Sequence, residues 1–217
     1  MSTLLLLDLD GTLIDTPHFE AWCYAAQQFG MKALAYDEYI AYMAGRPRLE
    51  GASRLIELRK HCTRPALVGE EACSALAEIK QLEFLRLCAN VRLFDDARRL
   101  LERLASSQQR AKLYTASRNA ESLFHTALSQ SGRSFSRPAI VRQRSGQTRE
   151  ELFADLARGY ASESVALVDD APHAVDAACN LGIRAYQICR SESKKVPTRL
   201  NARVLTSLDD IDMPIEN

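Results

Sequence analysis

The sequence predicts an α/β protein: a Rossmann-like parallel sheet with helices on both faces, interrupted by an inserted all-helical segment. Three observations predict it. An apolar run, Leu4 to Leu7, stops at Asp8-Leu9-Asp10-Gly11-Thr12, the pattern of a buried strand that delivers carboxylates to a turn at its C-terminal end. From Val91 onward, short apolar runs alternate with helical periodicity, and repeated strand–helix units build parallel sheets covered on both faces. Between Thr16 and Asn90 the spacing is helical throughout and no strand candidate occurs. The first strand must join the later ones, so residues 1–15 and 91–217 are expected to form the α/β core and residues 16–90 a helical cap.

The elements follow in order. A first helix places Phe19, Trp22, Cys23 and Ala26 on one face and ends near Gly30. A second runs from Tyr36 to Met43, and a third, after Gly45-Arg46-Pro47, carries Leu49, Ala52, Leu55, Ile56 and Leu58. A long fourth, from about Pro65 to Cys88, has Leu76, Ile79, Leu82, Phe84, Leu85 and Leu87 as its apolar stripe. The second half then reads as helix 95–106, strand 112–114, helix 118–130, strand 139–141, helix 149–158, strand 165–168, helix 172–180 and strand 183–188. Val204-Leu205 adds a last edge strand. Gly132 to Arg137 and Arg142 to Thr148 read as polar loops, and Ser191 to Arg199 as a basic connection.

Composition narrows the function. With 28 basic and 28 acidic residues the formal charge is zero, so no global field draws the chain to nucleic acid or to an anionic membrane, and any anion site must be local. The six cysteines, at 23, 62, 73, 88, 179 and 189, form no CxxC pair, and the N-terminus has neither a basic n-region nor a long apolar h-region. A reduced, cytoplasmic protein is expected, with neither nucleic acid nor membrane as a partner.

The chemistry concentrates at strand ends, where open α/β sheets bind their ligands. Asp8 and Asp10 lie two apart, on one side of a strand, and the turn at Gly11 can bring both toward one phosphate-sized space that a dication could bridge. A calcium loop starting at Asp8 would need Glu at its twelfth position, and Phe19 stands there. Leu113-Tyr114 leads to Thr115-Ala116-Ser117-Arg118-Asn119, where a hydroxyl and a helix start can hold phosphoryl oxygens. Val165 to Val168 leads to Asp169-Asp170, the second half of a magnesium site built on carboxylate oxygens.

Taken together, Asp8-Leu9-Asp10-Gly11-Thr12, then Thr115, then a basic residue, then Asp169-Asp170, resembles the motif order of the haloacid dehalogenase superfamily. It looks most like the helical-capped branch that holds β-phosphoglucomutase and many small-molecule phosphatases. The resemblance implies that Asp8 is the nucleophile and that Asp10 is the acid that protonates the leaving oxygen and then activates water. It implies Mg2+ on the Asp8 carboxylate, the Asp10 main-chain oxygen and Asp170, with Asp169 orienting the basic residue or a metal-bound water. This branch usually carries Lys-Pro before the penultimate helix, whereas Val141 to Arg149 contains no lysine. Arg149, at the head of a helix, and Arg144, nearer the Lys-Pro position, are the two candidates for the basic group, and neither is a neutral exchange for an ammonium. His18-Phe19-Glu20-Ala21-Trp22 resembles the start of the mutase cap, Arg48 falls where the mutase holds a distal phosphate, and Ser117-Arg118-Asn119 falls on its second phosphate-binding segment. A lysine of the mutase cap loop is replaced by Ala44. The implied activity is hydrolysis of a small phosphorylated metabolite, a sugar phosphate first, through an aspartyl phosphate, with the cap closing over the site. The alternatives are a sugar phosphomutase and a phosphate-ligand-binding protein with weakened turnover.

Overall fold

Strand β1 (Leu4–Asp8) is buried along its whole length, which its unbroken leucine run requires of a strand covered on both faces. The computed structural model describes residues 3–59, 69–107, 109–131, 139–190 and 202–212. It divides the chain into two compact units, Met1–Asp15 with Arg92–Asn217, and Thr16–Val91.

In the first unit β1 is joined by β2 (Arg110–Thr115), β3 (Ile140–Arg142), β4 (Val165–Asp169), β5 (Arg184–Ile188) and β6 (Ala202–Leu205). All neighbours are parallel and the spatial order is β3-β2-β1-β4-β5-β6. The chain order therefore reverses at β1, and such a switch point opens a crevice at the C-terminal strand ends. Four of the helices belong to this unit: α5 (Asp95–Ser106), α6 (Ala120–Gln130), α7 (Arg149–Leu156) and α8 (Pro172–Asn180). Helix α5 buries Ala97, Leu100, Leu101 and Leu104, a stripe of 3.6 periodicity. Helix α7 starts at a capping box in which Thr148 Oγ1 accepts from Glu151 N and Glu151 Oε2 accepts from Thr148 N. It ends at Leu156 and passes into a turn, two residues short of the expected limit.

The second unit is helical among its described residues: α1 (His18–Gln28), α2 (Tyr36–Tyr42), α3 (Arg48–Leu58) and α4 (Glu70–Leu87). Helices α1 and α3 both pack on α4. A Cβ on Gly51 of α3 would lie 2.8 Å from Trp22 Cζ2, so glycine allows the indole of α1 to sit against α3. The apolar stripe expected on α4 needs correction. Leu82 and Leu85 are 64% and 50% exposed, while Lys80 and Glu83 are buried beside Leu76, Ala77 and Phe84. The residue before the described part of α4 is Gly69, and the expected start at Pro65 lies outside the described residues, as do the Gly132–Arg137 loop and the Ser191–Arg199 connection. No helix among the described residues is long and apolar enough to cross a membrane.

Candidate active site

The register of the sheet sets Asp8 beside Tyr114, and Leu7 beside Val168, so Asp8, Thr115 and Asp169 arrive at the C-terminal edge on three adjacent strands. Asp8 is 6% exposed and Asp169 1% exposed; Asp170, one residue beyond β4, is half-buried. One oxygen from each of Asp8, Asp169 and Asp170 lies within 4.8 Å of the others.

Immediately after Asp8 the chain folds into a tight loop. Leu13 N and Ile14 N both donate to Leu9 O, and Gly11 N donates to Ile14 O at 3.0 Å. Gly11 has φ +76°, and a Cβ there would lie 2.8 Å from the Asp170 Cγ. This position takes glycine both for the left-handed backbone and for the close approach of a carboxylate. Asp10, carried on the same loop, contributes no carboxylate oxygen to the three-acid cluster; its Oδ2 accepts from Thr115 Oγ1 at 3.3 Å. The Thr115 hydroxyl in turn accepts from Ser117 N at 2.9 Å, and Ser117 Oγ accepts from Asn119 N at 3.3 Å. Thr115, Ser117 and Asn119 thus form one hydrogen-bonded ladder leading from β2 into α6, with Arg118 exposed beside it.

Burial first, then repulsion from Asp169, Asp10 and Asp170, pushes the Asp8 carboxyl well above the usual carboxylate range, and Arg149 pulls it back. Burial likewise raises Asp170, with Asp169 and Asp10 adding to it. In Asp169 burial dominates, opposed by Arg149 and by hydrogen bonds from Tyr114 and Ala171. Crowded acids of this kind fit a divalent cation: the donors are all hard oxygens, and a dication relieves the repulsion that burial magnifies.

Of the two arginines, Arg149 is the buried one, at 8% exposure on the first turn of α7, and its charge acts on both Asp8 and Asp169. The Arg144 side chain is 75% exposed and pairs with Asp155 at 3.1 Å. In the helical unit, His18 stacks on Phe84 with ring centroids 4.2 Å apart, and its Nδ1 lies 2.7 Å from Lys80 Nζ. Arg48, at the head of α3, donates to Gln81 Oε1.

Three residues that the sequence reading does not single out for the site support this arrangement. Tyr114 is fully buried and its hydroxyl donates to Asp169 Oδ2 at 2.6 Å. Arg190, just beyond β5, donates to Thr12 O, to Gly11 O at 3.5 Å and to Asp96 Oδ2, with its guanidinium 3.9 Å from the Phe94 ring centroid. It thereby holds the carbonyls of the loop that carries Asp10. Gln187, in register with Asp169, donates to Asp170 O at 3.2 Å. Their only sequence signal was a polar group inside or next to an apolar strand.

No protein-family model matches the chain, and no curated protein does. Solved structures do. A predicted phosphoglycolate phosphatase from Haemophilus somnus superposes with a TM-score of 0.73 at 14% identity, over 96% of each chain. A haloacid dehalogenase-like hydrolase from Streptococcus pneumoniae gives 0.68 at 17% identity, again over 96% of each chain. The archaeal β-phosphoglucomutase of Pyrococcus sp. strain ST 04 gives 0.66 at 21% identity, over 96% of this chain and 94% of that one. With a six-stranded parallel sheet, a helical insertion between β1 and β2 and this full-length likeness, the chain has the haloacid dehalogenase-like fold in its helical-capped form.

Proposed function

We propose that the protein is a magnesium-dependent phosphatase of small phosphorylated metabolites, sugar phosphates first among them, working through an aspartyl phosphate on Asp8. The observation that carries this reading is the division of labour among the acids. Asp8 stands in the three-acid cluster, whereas Asp10 is held outside it on the Thr115 hydroxyl.

Asp8, Asp170 and the Asp10 main-chain oxygen would hold the cation, which supplies the charge neutralisation an anionic nucleophile needs to approach a phosphate. An Asp8 carboxylate oxygen attacks phosphorus, and the ester P–O bond breaks. Asp10, protonated, gives its proton to the departing oxygen. As a carboxylate it then takes a proton from water, whose oxygen attacks the phosphorus of the aspartyl phosphate, releasing phosphate and regenerating Asp8. Thr115 keeps Asp10 aimed and offers a hydroxyl to the phosphoryl oxygens. Arg149 balances charge at Asp8 and Asp169. Ser117, Arg118 and Asn119 are proposed to contact substrate beside Thr115, and His18 and Arg48 to supply substrate contacts from the helical unit.

The similar solved structures include a β-phosphoglucomutase and a predicted phosphoglycolate phosphatase, so the substrate class rests on the shared phosphoryl chemistry. Phosphate release from a panel of sugar, nucleotide and other phosphomonoesters, with and without magnesium, tests the reading. Wild type is expected to release phosphate only with the cation, and Asp8→Asn to lose roughly 10³-fold or more of that rate. Full hydrolysis by Asp8→Asn would remove the nucleophile assignment. An isomerised sugar phosphate without free phosphate, dependent on a bisphosphate primer, would replace phosphatase by phosphomutase.

A further inference from the structure

We propose that Tyr114 is a positioning residue of the acid cluster, its hydroxyl fixing Asp169 and its ring seating Arg149, so that an arginine and a tyrosine together do what one ammonium could do alone. The proposal rests on the phosphatase reading for its kinetic arm and on the magnesium site of that reading for its calorimetric arm.

The sheet geometry makes the case. Tyr114 on β2 is the register partner of Asp8 on β1, and the Leu7–Val168 pairing sets Asp169 of β4 at the same level on the far side of β1. Residues level in a parallel sheet share a face, so the three side chains stand on one side of it. Adjacent strands lie about 4.8 Å apart, so β2 and β4 are separated by about 10 Å. Serine, threonine or asparagine at 114 would be too short to cross. Tyrosine spans the gap in front of β1, passing Asp8, and ends on Asp169 Oδ2 at 2.6 Å. The other Asp169 oxygen accepts from Ala171 N at 2.8 Å. With a donor on each oxygen, this carboxylate is held in one orientation.

The ring also packs against α7. Phe153 of α7 meets it edge-on, with centroids 5.1 Å apart and planes at 70°. The Arg149 guanidinium carbon lies 5.8 Å from the centroid of the same ring. Arg149 and Phe153 are four residues apart on α7 and so share a face; Tyr114 is the surface against which that face docks. A guanidinium is broad and flat where an ammonium is compact, and an aromatic face beside it restrains a group that otherwise has several rotamers. Phenylalanine at 114 would pack as well in a buried strand, so packing alone does not account for the hydroxyl; Asp169 does.

Tyr114→Phe keeps the ring and removes only the O–H. Its magnesium affinity, measured by calorimetry with magnesium chloride as the titrant, is expected to weaken several-fold. Its kcat on the best phosphomonoester is expected to fall about 10- to 100-fold, the range of one hydrogen bond to a charged group, with KM changed less than about two-fold. In an Asp169→Asn background the same substitution is expected to add little, since the hydroxyl acts through that carboxylate. Unchanged magnesium affinity and kcat in a folded Tyr114→Phe protein would overturn the proposal, as would full additivity with Asp169→Asn. If wild type hydrolyses none of the phosphomonoesters, the phosphatase reading fails, and the calorimetric comparison alone decides for or against Tyr114. A wild type that binds no magnesium overturns both.

Discussion

At Gly11 the backbone and the acid cluster compete for the same space. Any side chain there would adopt φ +76° and press on the Asp170 carboxylate, with a Cβ 2.8 Å from its Cγ. The Asp170 main chain is fixed where its carbonyl accepts from Gln187, so a side chain at position 11 is accommodated only by turning the Asp170 carboxylate out of its place in the cluster. Gly11→Ala is therefore expected to cost about 1–3 kcal/mol of stability from backbone strain and, separately, to lower magnesium affinity and phosphatase rate by roughly 100-fold. Denaturant unfolding with and without magnesium separates the two effects. This glycine was legible in the sequence, because a glycine directly after two spaced acids marks a turn. Arg190 was not. It caps carbonyls 178 and 179 positions earlier in the chain, and a single arginine after an apolar strand carries no sign of what it will reach. Tyr114 was hidden for a related reason: an aromatic inside a strand reads as core, and only the sheet order shows that its hydroxyl meets an acid 55 residues away.

At the scale of the element, α4 shows where periodicity stops being informative. Its leucines at 82 and 85 satisfy a helical stripe, yet the buried face runs through Ala72, Leu76, Ala77, Lys80, Glu83 and Phe84. A stripe one or two positions away can be drawn through the same sequence, and what selects between them is the shape of the partners. Here Lys80 lies over the Phe84 ring, its Nζ 4.4 Å from the centroid and within 2.7 Å of His18 Nδ1. Its aliphatic stem packs while its ammonium finds an imidazole and an aromatic face. Leu76→Ala is accordingly expected to destabilise the protein by about 2–5 kcal/mol, whereas Leu82→Ala should stay within about 0.5 kcal/mol. Equal losses in urea unfolding would return the stripe to its sequence-based position. The strands were more legible than this helix. A strand buried on both faces needs only an apolar run between turns, and β1 and β4 each supply one, whereas a helix must choose a face.

Across the whole molecule, two sets of ionisable groups pull stability in opposite directions with pH. Arg59 holds Glu38, and Arg99 holds Asp209, below their ordinary carboxyl values. Each contributes stability that is present above its unfolded value and lost as pH falls through the folded one. Glu38 is half-buried and Asp209 exposed, so solvent screens this contribution, more so at Asp209. Asp8, Asp169 and Asp170 behave in the reverse sense. Their folded values are raised above the ordinary 3.8, so between that value and the raised ones the folded chain binds more protons than the unfolded chain. Stability then falls as pH rises through this window. A bound divalent cation cancels the repulsion responsible, and because it competes with protons for the same oxygens, its stabilising effect must grow with pH. Thermal unfolding in a chelator is expected to show a lower Tm at about pH 8 than at about pH 5, with magnesium restoring Tm chiefly at the higher pH. A magnesium effect of equal size at both pH values would mean that the cation binds elsewhere than on these three acids. A chelator-treated protein whose Tm does not fall between about pH 5 and about pH 8 would mean that the acid cluster does not set its pH dependence in this range.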